Sequence, residues 1–199
     1  MIRNIVFDIG NVCVDFCYRE FFEGFGFEEE IVERICKATA ENKAWDAGDS
    51  GLVTEEEVLN LYISQDPEIE DYIRKVYANF SGIIREREET IPWLEELRAK
   101  GFGVYYLSNY PSKIARECAD QMKFIEHMDG GILSYKVGLI KPDGEIFRKL
   151  LEMYGLKAEE CLFLDDRADN CLAAKQEGFT AIQFTTREEV LKKMAQLGI

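Results

Sequence analysis

The chain of 199 residues carries a formal net charge of −14 and is 47% hydrophobic, enough for one good core plus a small accessory domain. Its acidic balance, with no cluster of lysine and arginine, excludes nucleic acid as a partner, although a small phosphate remains bindable where a cation and a lysine neutralise it locally. No apolar stretch approaches the roughly 18 residues of a membrane span, and the N-terminus enters a strand at once without a signal peptide, so no membrane association and a cytoplasmic location are expected.

The first strand is predicted over Ile2 to Phe7 and stops at Asp8, followed by Gly10, Asn11 and Asp15. A long stretch from Phe16 to Ser81 then has helical periodicity. Glu28 to Cys36 reads as an amphipathic helix with acidic residues at its start, where the helix dipole favours them. Thr54-Glu55-Glu56-Glu57 forms a capping box ahead of Val58, Leu59 and Leu61, and Ile69 to Phe80 gives a third helical pattern. Beyond it, strands and helices alternate. A helix from Thr90 to Arg98 carries proline early and closes at Lys100-Gly101. Gly103 to Leu107 is an apolar run that stops at Ser108-Asn109, and a second run, Ser134 to Ile140, leads into Lys141-Pro142-Asp143. Gly144 to Tyr154 is a helix ended by Gly155. Cys161 to Leu164 is a strand stopping at Asp165-Asp166, and a helix from Asn170 to Glu177 ends at Gly178. A last strand, Thr180 to Phe184, and a helix from Arg187 to Leu197 complete the chain.

Short apolar runs of this kind are strands buried on both faces of a parallel sheet, whose carboxyl ends open into the crevice where ligands bind. Two such ends would bring Asp8, Asp165 and Asp166 together. Three crowded carboxylates repel unless a cation sits among them, and oxygen ligands with no histidine or thiolate suit Mg²⁺. The six cysteines form no Cys-x-x-Cys pair and read as reduced, buried, small hydrophobes, while His127 is the only histidine, so zinc is excluded.

The order Asp8, Ser108, Lys141, Asp165-Asp166 resembles the four motifs of the haloacid dehalogenase-like hydrolase superfamily, over nearly the whole chain. The resemblance implies an α/β fold: a Rossmann-like three-layer core with a parallel sheet, from residues 1–15 and 85–199, and a small helical cap, residues 16–84, inserted after the first strand. It further implies that Asp8 attacks phosphorus to form an aspartyl-phosphate and that Ser108 and the Asn109 backbone hold the phosphoryl group. Lys141 would add positive charge at the transition state. Mg²⁺ would bind Asp8, the Gly10 carbonyl, Asp165 and Asp166, with Asp169 orienting Lys141 or a metal-bound water. Asn11 and Asp15 are either turn residues or auxiliary catalytic groups.

Superfamily members that hydrolyse phosphate esters usually carry a second aspartate two residues after the nucleophile as general acid and base. Here that position is Gly10, and loss of general acid catalysis costs about 10²- to 10⁴-fold. Good leaving groups would suffer least. The motifs Phe7-Asp8-Ile9-Gly10-Asn11-Val12 and Phe163 to Asn170, with the turn Ala44 to Thr54, are similar to the subgroup that includes bacterial α-D-glucose-1-phosphate phosphatases. The expected function is therefore a Mg²⁺-dependent phosphatase acting on a small phosphate ester, a sugar phosphate by preference, in a monomer or weak homo-oligomer. The alternatives are a metal-free 2-haloacid dehalogenase, which has no use for paired metal carboxylates, and a catalytically weak phosphate-binding module, as Gly10 would suggest.

Overall fold

The computed structural model describes residues 1–199. Strand β1 (Asn4–Phe7) is followed by a short β2 (Val14–Phe16) and then by helices α1 (Tyr18–Glu23) and α2 (Glu29–Ala38), a 3₁₀ turn (Lys43–Gly48), α3 (Glu55–Gln65) and α4 (Glu70–Tyr77). The chain returns through β3 (Ile84–Glu86), which pairs antiparallel with β2, so both ends of the helical insert pass through one two-stranded ribbon. Alternation then runs α5 (Thr90–Ala99), β4 (Gly103–Ser108), α6 (Ser112–Glu117), β5 (Gly130–Leu133), α7 (Gly144–Tyr154), β6 (Cys161–Asp165), α8 (Ala168–Gln176), β7 (Thr180–Gln183) and α9 (Arg187–Gln196).

Five strands form one parallel sheet in the order β5-β4-β1-β6-β7. Side chains alternate across a strand, and both faces here are covered. Ile5 and Phe7 of β1, with Leu162 and Leu164 of β6, join a core containing Trp93, Leu94 and Leu97 of α5 and Val190 and Met194 of α9. Val6, Cys161 and Phe163 face the other way, onto Ile146, Phe147 and Leu150 of α7 and Ala174 of α8. Two helix layers thus sandwich the sheet. This is why the central strands read as unbroken apolar runs. The first core continues into the insert through Phe22, Val32, Ile35, Tyr62 and Ile73, so the insert shares its apolar packing. At the start of α3 the capping box is complete, with Thr54 accepting from the Glu57 backbone and the Glu57 carboxylate accepting from the Thr54 backbone.

The structure corrects one strand. The apolar run Ser134 to Ile140 is not extended: Ser134–Lys136 form a 3₁₀ turn, and the edge strand lies earlier, at Gly130–Leu133. Neighbouring side chains decide this. A Cβ on Gly131 would lie only 2.3 Å from the Tyr106 carbonyl oxygen, and the Tyr154 hydroxyl bonds both the N–H and the C=O of Gly131, at 2.8 and 3.0 Å. The glycine pair Gly130-Gly131 is what lets this edge strand close against β4.

Phe147 is fully buried and meets Phe163 and Phe179 edge-to-face, with ring centroids 5.4 and 5.7 Å apart. Phe147→Ala is expected to cost about 3–5 kcal/mol, from lost transfer energy plus the cavity left behind, measured by urea unfolding. A loss below about 1 kcal/mol would show that this face of the sheet is not close-packed.

Candidate active site

The three central strands end side by side. Asp8 directly follows β1, Ser108 is the last residue of β4, and Asp165 is the last of β6. Because β1 leads to β4 on one side while β6 returns on the other, these carboxyl ends flank a topological switch point, the place where ligands bind in open α/β sheets. The Asp8 N–H donates to the Leu164 carbonyl at 2.7 Å, locking the first residue beyond β1 to β6.

Lys141 occupies the centre. Its Nζ lies 2.8 Å from Asp8 Oδ1 and 2.6 Å from Asp165 Oδ2, with the side chains of Lys141 and Asp165 almost wholly excluded from water. An ammonium can sit there only because two carboxylates surround it. Its backbone is fixed independently: Asn109 Nδ2 donates to the Lys141 carbonyl at 2.9 Å, and the Lys141 N–H donates to Asn109 Oδ1 at 2.7 Å. Ser108 Oγ donates to Asp8 Oδ1 at 2.7 Å, so one oxygen of Asp8 takes both protein donors while Oδ2 has neither. Burial pushes the Asp8 carboxyl up to about 6, with Asp165 adding to the rise and Lys141 and Ser108 opposing it. Burial works against the Lys141 ammonium, yet Asp8 and Asp165 together hold its pKa above the usual lysine value.

The adjacent aspartates have different surroundings. Asp165 accepts from Lys141, from the Arg167 N–H at 2.8 Å and from Asn170 Nδ2 at 3.1 and 3.0 Å, which saturates it with protein donors. The Asp166 carboxylate accepts only from Asn11 Nδ2, at 3.0 Å, and is more open. Burial raises its pKa, Asn11 opposes the rise, and Asp165 adds to it. Asn11 has φ 54°, a left-handed conformation that asparagine tolerates better than most residues. That sharp turn after β1 lets its side chain reach across to β6. Carboxylate oxygens of Asp8, Asp165 and Asp166 lie within 4.8 Å of one another, and three carboxylates against one lysine leave two negative charges unbalanced.

A cavity of about 160 Å³ opens over these groups. Its floor includes Asp8, Ser108, Asn109, Lys141 and Asp166, and its roof is Trp45, Asp46 and Asp49 from the helical insert. Gly10 lines it too, and a Cβ built there meets nothing within 4 Å.

The structure therefore brings Asp8, Gly10, Asn11, Ser108, Asn109, Lys141, Asp165 and Asp166 to one place. Two expected auxiliaries lie elsewhere. Asp169 does not reach Lys141: α8 carries it outward, where Arg167 holds its carboxylate at 2.9 Å, and Asn170, the next residue round the helix, turns inward to Asp165 instead. Asp15 lies on β2, where Arg87 binds it at 2.7 Å, outside the cavity. Asn109 contributes its side chain, as the brace for Lys141, in addition to the backbone expected to hold phosphate. Sequence reasoning assigned no role to Asn170 or Asp49. Asn170 could have been found from its place on the first turn of the helix after the aspartate pair. For Asp49 there was no comparable signal.

The family model for haloacid dehalogenase-like hydrolases matches residues 2–178. Among curated proteins, a sesquiterpene phosphatase of Aspergillus oryzae is 23% identical over 78% of this chain and 80% of its own. A D-ribitol-5-phosphate phosphatase of Bacteroides thetaiotaomicron is 28% identical, with 92% of both chains covered. The fold is shared with a HAD family enzyme of Bacteroides thetaiotaomicron solved in complex with magnesium and inorganic phosphate, at TM-score 0.68 and 21% identity, covering 94% of this chain and 96% of that one. With the four motifs brought to one site and a family match along most of its length, the chain belongs to the haloacid dehalogenase-like hydrolases.

Proposed function

We propose that the protein is a Mg²⁺-dependent phosphatase that hydrolyses a small phosphorylated metabolite, a sugar phosphate by preference, through an aspartyl-phosphate on Asp8. It is a phosphoric monoester hydrolase, in keeping with its phosphatase relatives. The observation that carries the reading is the asymmetry of Asp8: Oδ1 is held by Ser108 and Lys141, while Oδ2 is left to attack a phosphorus atom in the cavity. Ser108 and Lys141 fix the rotation of the carboxylate, so the attacking lone pair is aimed before substrate arrives. Lys141 also sets a positive charge beside the site where phosphoryl oxygens accumulate negative charge.

The donor set fits Mg²⁺. Every ligand on offer is a hard oxygen, and two negative charges are left to balance. Asp8, Asp166 and the Gly10 carbonyl would hold the ion, with Asp165 behind them as the counter-charge to Lys141. When bound, Mg²⁺ would neutralise phosphoryl oxygens and lower the pKa of Asp8. The magnesium and phosphate in the Bacteroides structure support the same class of chemistry. The helical insert acts as the cap, presenting Trp45, Asp46 and Asp49 to the substrate from above. A cavity of about 160 Å³ is below the roughly 300–1,000 Å³ of common ligand pockets, which favours a small substrate over a nucleotide. A cytoplasmic setting accords with six free cysteines. A metal-free dehalogenase would leave Asp166 without a role.

Chelation by EDTA is expected to abolish hydrolysis of sugar phosphates, and added Mg²⁺ to restore it; full turnover in chelator would refute the metal assignment. Asp8→Asn keeps the shape but removes the attacking charge, so turnover should fall to background while the circular dichroism spectrum stays unchanged. A folded, active Asp8→Asn protein would rule out the covalent route.

A further inference from the structure

Gly10 removes the proton donor that would sit two residues after the nucleophile, yet an alkyl phosphate cannot lose its alkoxide rapidly without a proton. Resting on the phosphatase reading above, we infer that Asp49, a carboxyl from the helical insert in the roof of the cavity, is the general acid and base of the reaction.

Four observations place it there. Asp49 lines the same cavity as Asp8, Ser108 and Lys141, and only 5% of it is exposed. Its carboxyl makes no hydrogen bond or ion pair within the protein, so it is free to serve a substrate; only its backbone is engaged. That backbone is clamped. The Asp49 N–H donates to the Asp46 carbonyl, and the Asp49 carbonyl accepts from Ser134 Oγ, which also accepts from the Tyr110 N–H at 2.8 Å. Two residues on, Gly51 has φ +68°, and a Cβ there would lie 2.6 Å from the Tyr135 carbonyl oxygen. The turn is therefore seated on core loops that follow β4 and β5, and Asp49 holds a fixed height above the floor. Lastly, burial, reinforced by Asp46 and Asp8 and opposed by Lys141 and Arg167, pushes the Asp49 carboxyl up to about 8. The charge of Asp49 in turn adds to the rise that burial causes in the Tyr62 and Tyr110 hydroxyls. The upward shift of Asp49 favours its protonated form, the form a general acid needs.

Three competing carboxylates are excluded by their partners. Asp15 is bound to Arg87 outside the cavity, Asp165 is saturated, and Asp166 faces Asn11 beside the nucleophile. Asp46 is more open to water.

In the first half-reaction Asp8 Oδ2 bonds to phosphorus as the bond to the leaving oxygen breaks. The Asp49 proton passes to that oxygen, releasing an alcohol and leaving an Asp49 carboxylate. In the second half the carboxylate takes a proton from water as the water oxygen bonds to phosphorus. The Asp8–phosphorus bond breaks, and inorganic phosphate leaves with Asp8 ionised and Asp49 protonated again.

The test is kcat/KM, which reports phosphorylation of the enzyme, for an alkyl phosphate such as glycerol phosphate and for p-nitrophenyl phosphate, whose leaving group needs no proton. Asp49→Asn should lose about 10²- to 10⁴-fold on the alkyl ester and less than about tenfold on the nitrophenyl ester. Equal losses on both, or none on the alkyl ester, would overturn the assignment. Should the variant fail to fold, the wild-type protein decides: rates across a series of phosphate esters are expected to depend weakly on leaving-group pKa, and a steep dependence would remove the acid. A wild-type protein that hydrolyses neither ester with Mg²⁺ present would instead refute the phosphatase reading itself.

Discussion

The buried ammonium of Lys141 is the interaction on which the site depends. An unpaired charge in such a place would cost several kcal/mol, and its two contacts, Asp8 at 2.8 Å and Asp165 at 2.6 Å, are what make it tolerable. The dependence is mutual, because without the lysine the two carboxylates would face each other in a region of low dielectric. Lys141 also lies over the Phe163 ring, 5.3 Å from its centroid, so the floor beneath it is an aromatic face of the sheet core. Since Asp8, Asp165 and the Asn109 brace come from the ends of β1, β6 and β4, the lysine joins three strands whose order in the sheet makes the meeting possible.

The same electrostatics separates two aspartates that are chemically identical. Asp165 ends β6 inside the sheet and is consumed by Lys141, Asn170 and a backbone N–H. Asp166, one residue past the end of the strand, is half-buried, accepts from Asn11 and keeps room for another partner. One becomes a fixed counter-charge and the other a candidate ligand. The end of the strand between them is enough to divide them.

The helical insert shows how a second site component arises from ordinary packing. Its apolar face shares the core of the sheet, and its only backbone entry is the β2–β3 ribbon, yet one turn of it is seated on the loops after β4 and β5. Seating that turn removes Asp49 from water and leaves it lining the cavity that Asp8 also lines. Burial of this kind raises a carboxylic acid's pKa without any designed partner.

Much of this was legible in the residues themselves. Apolar runs that end at Asp8, Ser108 and Asp165 read directly as buried strands with polar tips, because a strand covered on both faces has no polar side to alternate. The capping box at Thr54 and the glycine stops at Gly155 and Gly178 are equally local, since each depends on a few neighbouring backbone groups. The edge strand at Gly130–Leu133 was not legible, because glycines there answer to Tyr106 and Tyr154, which are distant in sequence. Nor was the choice of Asn170 over Asp169, or the capture of Asp15 by Arg87, because each turns on which way a helix or ribbon faces. The sequence by itself determined which strand ends carry charged and polar tips, since residue type and periodicity are local properties. Only the tertiary structure decided that Asp49 shares a cavity with Asp8 and has its pKa raised, because burial and the field of Asp46, Asp8, Lys141 and Arg167 exist only once distant segments have packed together.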